Sequence, residues 1–446
     1  MKRNIYIGAA FIALIAVLAV ASYMLDRKTV VHAATVQVPK FEVDPMWPKP
    51  MPNHWIMGNV IGATVDSKDH IWIIHRQGSV EAKEVYADAN PPQSECCHIA
   101  PPVLEFDEAG NLLASWGGKD GEGFVWPASN HGITVDHSGN VWIGGNGARG
   151  GAAPEEGGPA GAARGAAAGR GAARGAARGA DGAAPAAARG PAGPPLYHDS
   201  MIMKFTPDGK FLAQFGKSGQ DKGSNDKENV GLAAKIFIDE KAKEVYVADG
   251  YGNKRVLVID MDTLKYKRHW GAYGHVPEDA RLRYDPDGPP SQQFANPVHC
   301  AELADDGLLY VCDRVNDRIQ VFKADGTFVK EHFYYKKTLG DGAVWDIAFS
   351  KDKGQKYIYL ADGANEKVRI LDRDTLDELA NFGDGGRQPG EFYAVHSIAT
   401  DSKGNIFTTE TYRGQRVQKF VFKGLGPVTK MEEGVLWPKS AKSPTQ

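Results

Sequence analysis

The sequence predicts an all-β fold, a six-bladed β-propeller, preceded by an N-terminal signal-anchor helix. Three observations carry that expectation. One template recurs six times: an apolar strand, a turn rich in Asp, Gly and Lys, a second strand, a polar loop, a third strand, and a turn into a fourth. Counting back five residues from the turn-opening position of each unit (Asp66, Asp136, Asp239, Ala304, Ser350, Asp401) gives one register, occupied by Ile61, His131, Ala234, His299, Trp345 and His396. The chain also begins with Lys2 and Arg3 ahead of an apolar run from Ile5 to Leu25, at about 20 residues long enough to span a bilayer.

The template is plainest in unit four, where Val298 to Leu303, Leu308 to Cys312, Ile319 to Phe322 and Phe328 to His332 are separated by Asp-Gly or Asn-Asp turn signals. Unit one has Ile71 to Ile74 and Val103 to Phe106, and unit two has Val141 to Ile143 and Met201 to Phe205. Val245 to Asp249 and Arg255 to Ile259 belong to unit three, Tyr357 to Asp362 and Lys367 to Leu371 to unit five, and Asn405 to Glu410 and Arg416 to Phe420 to unit six. Units of about 45 residues, insertions aside, close into a ring with short, protected edges. The expected organisation is a signal peptide or anchor over 1–34, an extended lead-in over 35–57, the propeller over 58–426 and a tail over 427–446. Either Phe41 to Trp47 or the tail near Trp437 is expected to complete a blade.

Composition narrows the function classes. A net charge of −3 over 446 residues gives no electrostatic case for nucleic acid as a partner. The 52 glycines and 26 prolines suit many short strands and turns, although Gly147 to Pro195, an Ala/Gly/Arg-rich insert in unit two, contributes part of the glycine. That insert has no apolar periodicity and is expected to be disordered. Positive residues ahead of the apolar run favour a cytoplasmic N-terminus and an exported globular part, periplasmic or extracellular and tied to the membrane through residues 5–25. Export permits disulfides. Cys300 and Cys312 flank the turn Asp305-Asp306-Gly307 in strands that should pair, so a cross-strand bridge is expected; the adjacent Cys96 and Cys97 could bond to each other, pair elsewhere or bind metal, and without a second cluster at metal spacing a structural disulfide is the favoured reading.

The chemistry gathers at one end of the ring. A single histidine opening a strand is ordinarily a structural residue, but His131, His299 and His396 share one register in alternate units. Three imidazoles converging on an axis match a zinc-type site with a vacant position. The start of a first strand lies beside the end of the second, so loops after the second strands share that face. They carry Arg76, Tyr251, Arg314, Tyr412 and Arg413. A Lewis acid, a phenol and guanidinium groups on one face can polarise an oxygen, move a proton and hold a carboxylate. Read alone, Arg314 would be an ion-pair partner of Asp313 or Asp317.

The unit spacing, the Ala-Asp and Cys-Asp ends of the second strands, and Arg318-Ile319-Gln320-Val321-Phe322 resemble NHL repeats. With His131, His299, His396, His75-Arg76, Asp249 to Arg255 and Cys312 to Gln320, the stretch from about Val43 to Phe422 resembles the peptidyl-α-hydroxyglycine α-amidating lyases. That resemblance implies a six-bladed propeller with Zn2+ on the three histidines, a tyrosine base (Tyr251), arginines near the substrate (Arg76, Arg314), a bridge like Cys300–Cys312, and cleavage of an N-acyl-α-hydroxyglycine to an amide and glyoxylate. It also implies an additional structural Ca2+. Two positions depart from the family pattern, Ala394 where a methionine is usual and Ser397 where an aspartate is usual. The expected partner is a small-molecule or peptide substrate. The alternative is a non-catalytic NHL-type module binding a peptide, glycan or envelope partner, with the histidines packing the axis. A calcium-dependent lactonase on a similar propeller would want carboxylates where the histidines stand.

Overall fold

The computed structural model describes residues 36–147, 198–280 and 282–438. Within them lie six four-stranded antiparallel sheets and no α-helix. The expected anchor at 5–25 and all of the 147–195 insert except Gly147 fall outside the described residues. Among the described residues no helix is long and apolar enough to cross a membrane.

The first strands are Asn59–Val65, Asn130–Val135, Ala233–Asp239, Val298–Leu303, Asp346–Phe349 and Val395–Thr400. Each touches the next around a closed ring, so they are the innermost strands of six blades. Second strands such as Ile71–Arg76, Glu244–Asp249 and Tyr357–Asp362 are buried along their whole length. They lie between neighbouring blades on both faces, which is why their sequences are near-continuous apolar runs rather than alternating ones. Outer strands such as Leu112–Trp116 and Phe328–Phe333 are half exposed. The apolar core is accordingly divided into clusters at the blade junctions; one packs Tyr246, Val256 and Phe294 against Val298 and Phe322, another Trp72 and Ile74 against Ile133 and Ile143.

Asp side chains close the inner turns. Asp136 accepts from the Ser138 and Asn140 amides at 3.0 and 2.8 Å and from Trp142 Nε1 at 3.1 Å, and Asp66 accepts from Trp72 Nε1 in the same way in blade one. At the other end, ion pairs span the foot of the loop between second and third strands in blades three to six. Asp249 and Arg255, Asp313 and Arg318, and Asp362 and Arg369 each meet at 2.8 Å, and Glu410 and Arg416 at 2.7 Å. Such pairs are tolerable when their other valences are filled. Asp249 also takes the Gly231 amide, Asp313 the Ala295 amide and Glu410 the Tyr393 amide.

Both terminal segments close the ring. Gln37–Asp44, expected as a lead-in, is the outer strand of blade six, antiparallel to Val417–Pro427. The tail then returns beside it, with Val43 N donating to Leu436 O at 3.0 Å and Leu436 N to Phe41 O at 2.8 Å. Phe41 anchors the closing strand, buried against Tyr359, Phe382 and Phe422 with centroids 5.5, 5.6 and 6.0 Å away. Cys300 and Cys312 stand opposite each other in adjacent strands and are bonded, and Cys96 is bonded to Cys97. Disulfides of this kind persist in oxidising compartments. Phe41→Ala is expected to destabilise the fold by about 3–5 kcal/mol. Leu425→Ala, on the paired strand but 56% exposed, should stay within about 0.5 kcal/mol. Denaturant midpoints of the two variants against the parent check this.

Candidate metal centre

The axial register predicts where the three histidines meet, and a pairing irregularity explains how. In blade four Val298 pairs with Asp313 and Cys300 with Cys312, leaving His299 as an extra residue. Blades one and three slip in the same place, between Val60 and Gly62 and between Ala233 and Lys235. Blade two slips between His131 and Ile133, and blade six between Val395 and Ile398. A bulge of one residue bends the strand and re-aims a side chain. The extra residue in blade two is Gly132, at φ +67°, where a Cβ would lie 2.6 Å from Ala234 O.

His131, His299 and His396 are all buried, and their candidate ligand atoms lie within 4.8 Å of one another. Their ring centroids form a near-equilateral triangle with sides of 4.8, 5.0 and 5.2 Å. His131 Nδ1 lies 2.6 Å from Ala234 O and His299 Nδ1 2.5 Å from Trp345 O. A carbonyl can only accept, so Nδ1 carries the hydrogen and Nε2 keeps its lone pair. The acceptors are the residues at the equivalent position of the next blade, so the ring itself sets the tautomer.

Tyr251 Oη sits 2.9 Å from His131 Nε2 and 3.1 Å from His299 Nε2. One hydroxyl hydrogen cannot serve two lone pairs. This electron-rich convergence of imidazole nitrogens fits a divalent cation of the zinc type, with carbonyl-anchored imidazoles as its ligands. Arg314 Nη1 donates towards Tyr251 Oη at 3.4 Å, and its guanidinium carbon lies 4.4 Å from the centre of the Trp345 ring. Its carboxylate partner is Asp341, at 3.3 Å, and not Asp313, which pairs with Arg318, nor Asp317. Asp341 also accepts from Tyr412 Oη at 2.6 Å. Arg76 is buried at the same end, its Nε donating at 3.1 Å to the carbonyl of Asn130, next to His131, and its Nη2 to Asn146 Oδ1 at 3.0 Å. Arg413 is a rim residue, paired with Glu81. Asp341 was not legible as a site residue, because Gly340-Asp341-Gly342 has no strand register to place it.

No protein-family model matches the chain. Over 195 residues, 41% of this chain, it is 25% identical to peptidyl-alpha-hydroxyglycine alpha-amidating lyase 1 of Drosophila melanogaster, and the match takes in only 34% of that protein's length. Among solved structures it is similar to a streptogramin B lyase, with TM-score 0.42 and 11% identity over 88% of this chain and 99% of that one. It is also similar to a catalytically inactive virginiamycin B lyase from Staphylococcus aureus with quinupristin, with TM-score 0.41 and 11% identity over 86% and 89% of the two chains. Neither structural likeness is close enough to bear on the reaction.

Asp317 ties the Arg314 loop to the Asp341 loop, its Oδ1 accepting the Ala343 amide at 2.6 Å. Burial pushes its carboxyl up to about 8. A folded value above the unfolded one means that the folded state holds the proton more tightly, so stability falls as pH rises from about 4 through about 8. Asp317→Asn is expected to remove this contribution, so that the melting temperature of the variant gains on the parent's steadily from pH 5 to pH 8.5; a pH-independent difference would contradict it. For the centre itself, the purified chain is expected to hold one divalent ion and His299→Ala to lose it. Equal metal content in the two would show that the histidines only pack the axis.

Proposed function

We propose that the chain is a metal-dependent carbon–nitrogen lyase, cleaving an N-acyl-α-hydroxyglycine-like substrate to an amide and glyoxylate. The observation that carries the reading is the Tyr251 hydroxyl, set between two of three convergent imidazoles with a guanidinium beside it. The partial likeness to the fly amidating lyase supports the same reaction class. A divalent ion on His131, His299 and His396, most simply zinc, would supply Lewis acidity towards the carbinol oxygen.

The remaining work belongs to side chains. Tyr251, as phenolate, takes the carbinol proton; the O–H electron pair becomes the aldehyde C=O of glyoxylate as the C–N bond breaks. The C–N pair leaves with nitrogen, which takes the proton from Tyr251 to become the amide and returns the phenolate. Arg314 lies where its guanidinium can meet the substrate carboxylate and offset charge on the Tyr251 oxygen, and stacking on Trp345 keeps it planar to its target. Arg76 is assigned a supporting role, holding the strand that presents His131 through the Asn130 carbonyl. In this reading the protein works outside the cytoplasm, anchored through residues 5–25, on a small-molecule or peptide substrate.

Glyoxylate release from a panel of acylated α-hydroxyglycines, with and without chelator, tests the reaction. Tyr251→Phe should keep metal and fold but lose about 100-fold or more in turnover. Arg314→Ala should mainly raise KM for substrates that bear the carboxylate. Full turnover in Tyr251→Phe would remove the tyrosine from proton transfer, and metal-loaded protein inert across the panel would leave the binding-module reading in its place.

A further inference from the structure

Beneath the histidines the channel contains a second polar layer that the proposed reaction does not use. Three of its four members immediately follow axial positions, and the fourth, Glu302, lies three residues after His299. Lys235 follows Ala234, Asp346 follows Trp345, and Ser397 follows His396. Lys235 Nζ lies 2.6 Å from Asp346 Oδ1 and 2.8 Å from Glu302 Oε1, joining blades three, four and five across the axis. The three side chains are only 12%, 2% and 14% exposed, and Lys235 and Glu302 line a funnel of about 860 Å³ at the opposite mouth. Asp346 Oδ2 in turn accepts from Ser397 Oγ at 2.7 Å and from the Ile398 amide at 3.1 Å. Those two groups belong to the bulge in blade six that turns His396 to the axis.

A divalent ion such as calcium does not fit here. It needs six or more oxygen ligands, and the carboxylates that face the axis are already engaged by an ammonium, while Ser397 offers a hydroxyl that is donated to Asp346. The facing carboxylates hold the Lys235 ammonium charged well above the ordinary lysine range, against the opposing effect of burial.

We propose that Lys235 is the resident axial cation of this propeller: its ammonium pins Glu302 and Asp346 inside the channel in place of a metal ion, and through Asp346 it positions the bulge that presents His396. Lys235 is a positioning residue and touches no substrate. The chain therefore takes one divalent ion, at the histidines, and its lower channel is plugged.

Calcium and zinc are measured on the full chain after equilibration with both and dialysis, with melting temperature followed against added calcium. The parent is expected to retain no calcium and to show no calcium-dependent shift. Lys235→Met leaves two carboxylates facing each other without a cation. It should melt lower, regain part of the loss in millimolar calcium, and bind zinc about 10–100-fold more weakly, the usual scale for a lost outer partner of a metal ligand. The zinc measurement rests on the metal-centre reading, whereas the calcium measurement does not, so the two can fail separately. Should Lys235→Met not fold, Glu302→Gln, which keeps the shape and removes one charge, is expected to melt lower while remaining indifferent to calcium. Equimolar calcium retained by the parent would overturn the proposal, as would a Lys235→Met variant with parental zinc affinity and no response to calcium.

Discussion

The centre depends on the one-residue slip in pairing along the innermost strands. In a regular antiparallel strand, side chains alternate between the two faces of the sheet, and both faces of these blades are buried against neighbouring blades. A histidine in an unbroken ladder would point into that apolar packing. The slip releases one residue from the alternation and lets it face the lumen. Five blades carry it, so the device is general to the ring; in blades four and six the histidine itself leaves the ladder, whereas in blade two His131 stays paired and the released residue is Gly132 directly after it.

The loops that arm the centre are held by the buried carboxylate–arginine pairs. Tyr251 stands between Asp249 and Arg255, Arg314 between Asp313 and Arg318, and Tyr412 between Glu410 and Arg416. Each pair clamps the foot of a short loop, and the backbone amides taken up by the same carboxylates fix the loop to the preceding segment. Breaking one such pair would leave an uncompensated buried charge, a loss of about 3–5 kcal/mol. The same clamp that stabilises the blade therefore fixes the reach of the side chain at the tip of the loop.

Much of this was legible because it is local. The convergence of the histidines is legible from their distance from the turn, a spacing set by strand length and independent of the rest of the ring. The placement of Tyr251 and Arg314 beside the histidines is legible because antiparallel pairing puts the end of the second strand beside the start of the first. The closing strand was not, since Phe41 to Trp47 and the tail near Trp437 both have the apolar character of an edge strand, and the pairing that decides between them joins Gln37–Asp44 to Val417–Pro427 at opposite ends of the chain. Both segments turned out to be used. Lys235 was equally silent: in Ala234-Lys235-Ile236-Phe237 it reads as an ordinary polar residue of an alternating strand, and only closure of the ring brings Glu302 and Asp346 to it.

Two of the three axial positions without histidine, Ala234 and Trp345, shape the sides of the centre. Ala234 is small, and the Tyr251 ring occupies the space on that side, 4.8 Å from His131 and 5.7 Å from His299. Trp345 is large and fills the interval between the other two imidazoles, with centroids 6.1 Å from His299 and 5.5 Å from His396, while its face carries the Arg314 guanidinium. The symmetric ligand set is thereby given two different flanks, a phenol over the small residue and a cation over the large one. Under the proposed function, a substrate with a hydroxyl and a carboxylate on one carbon would meet both flanks in a single orientation. The asymmetry that a three-fold histidine pattern lacks is supplied by the size difference between alanine and tryptophan at equivalent positions of the repeat.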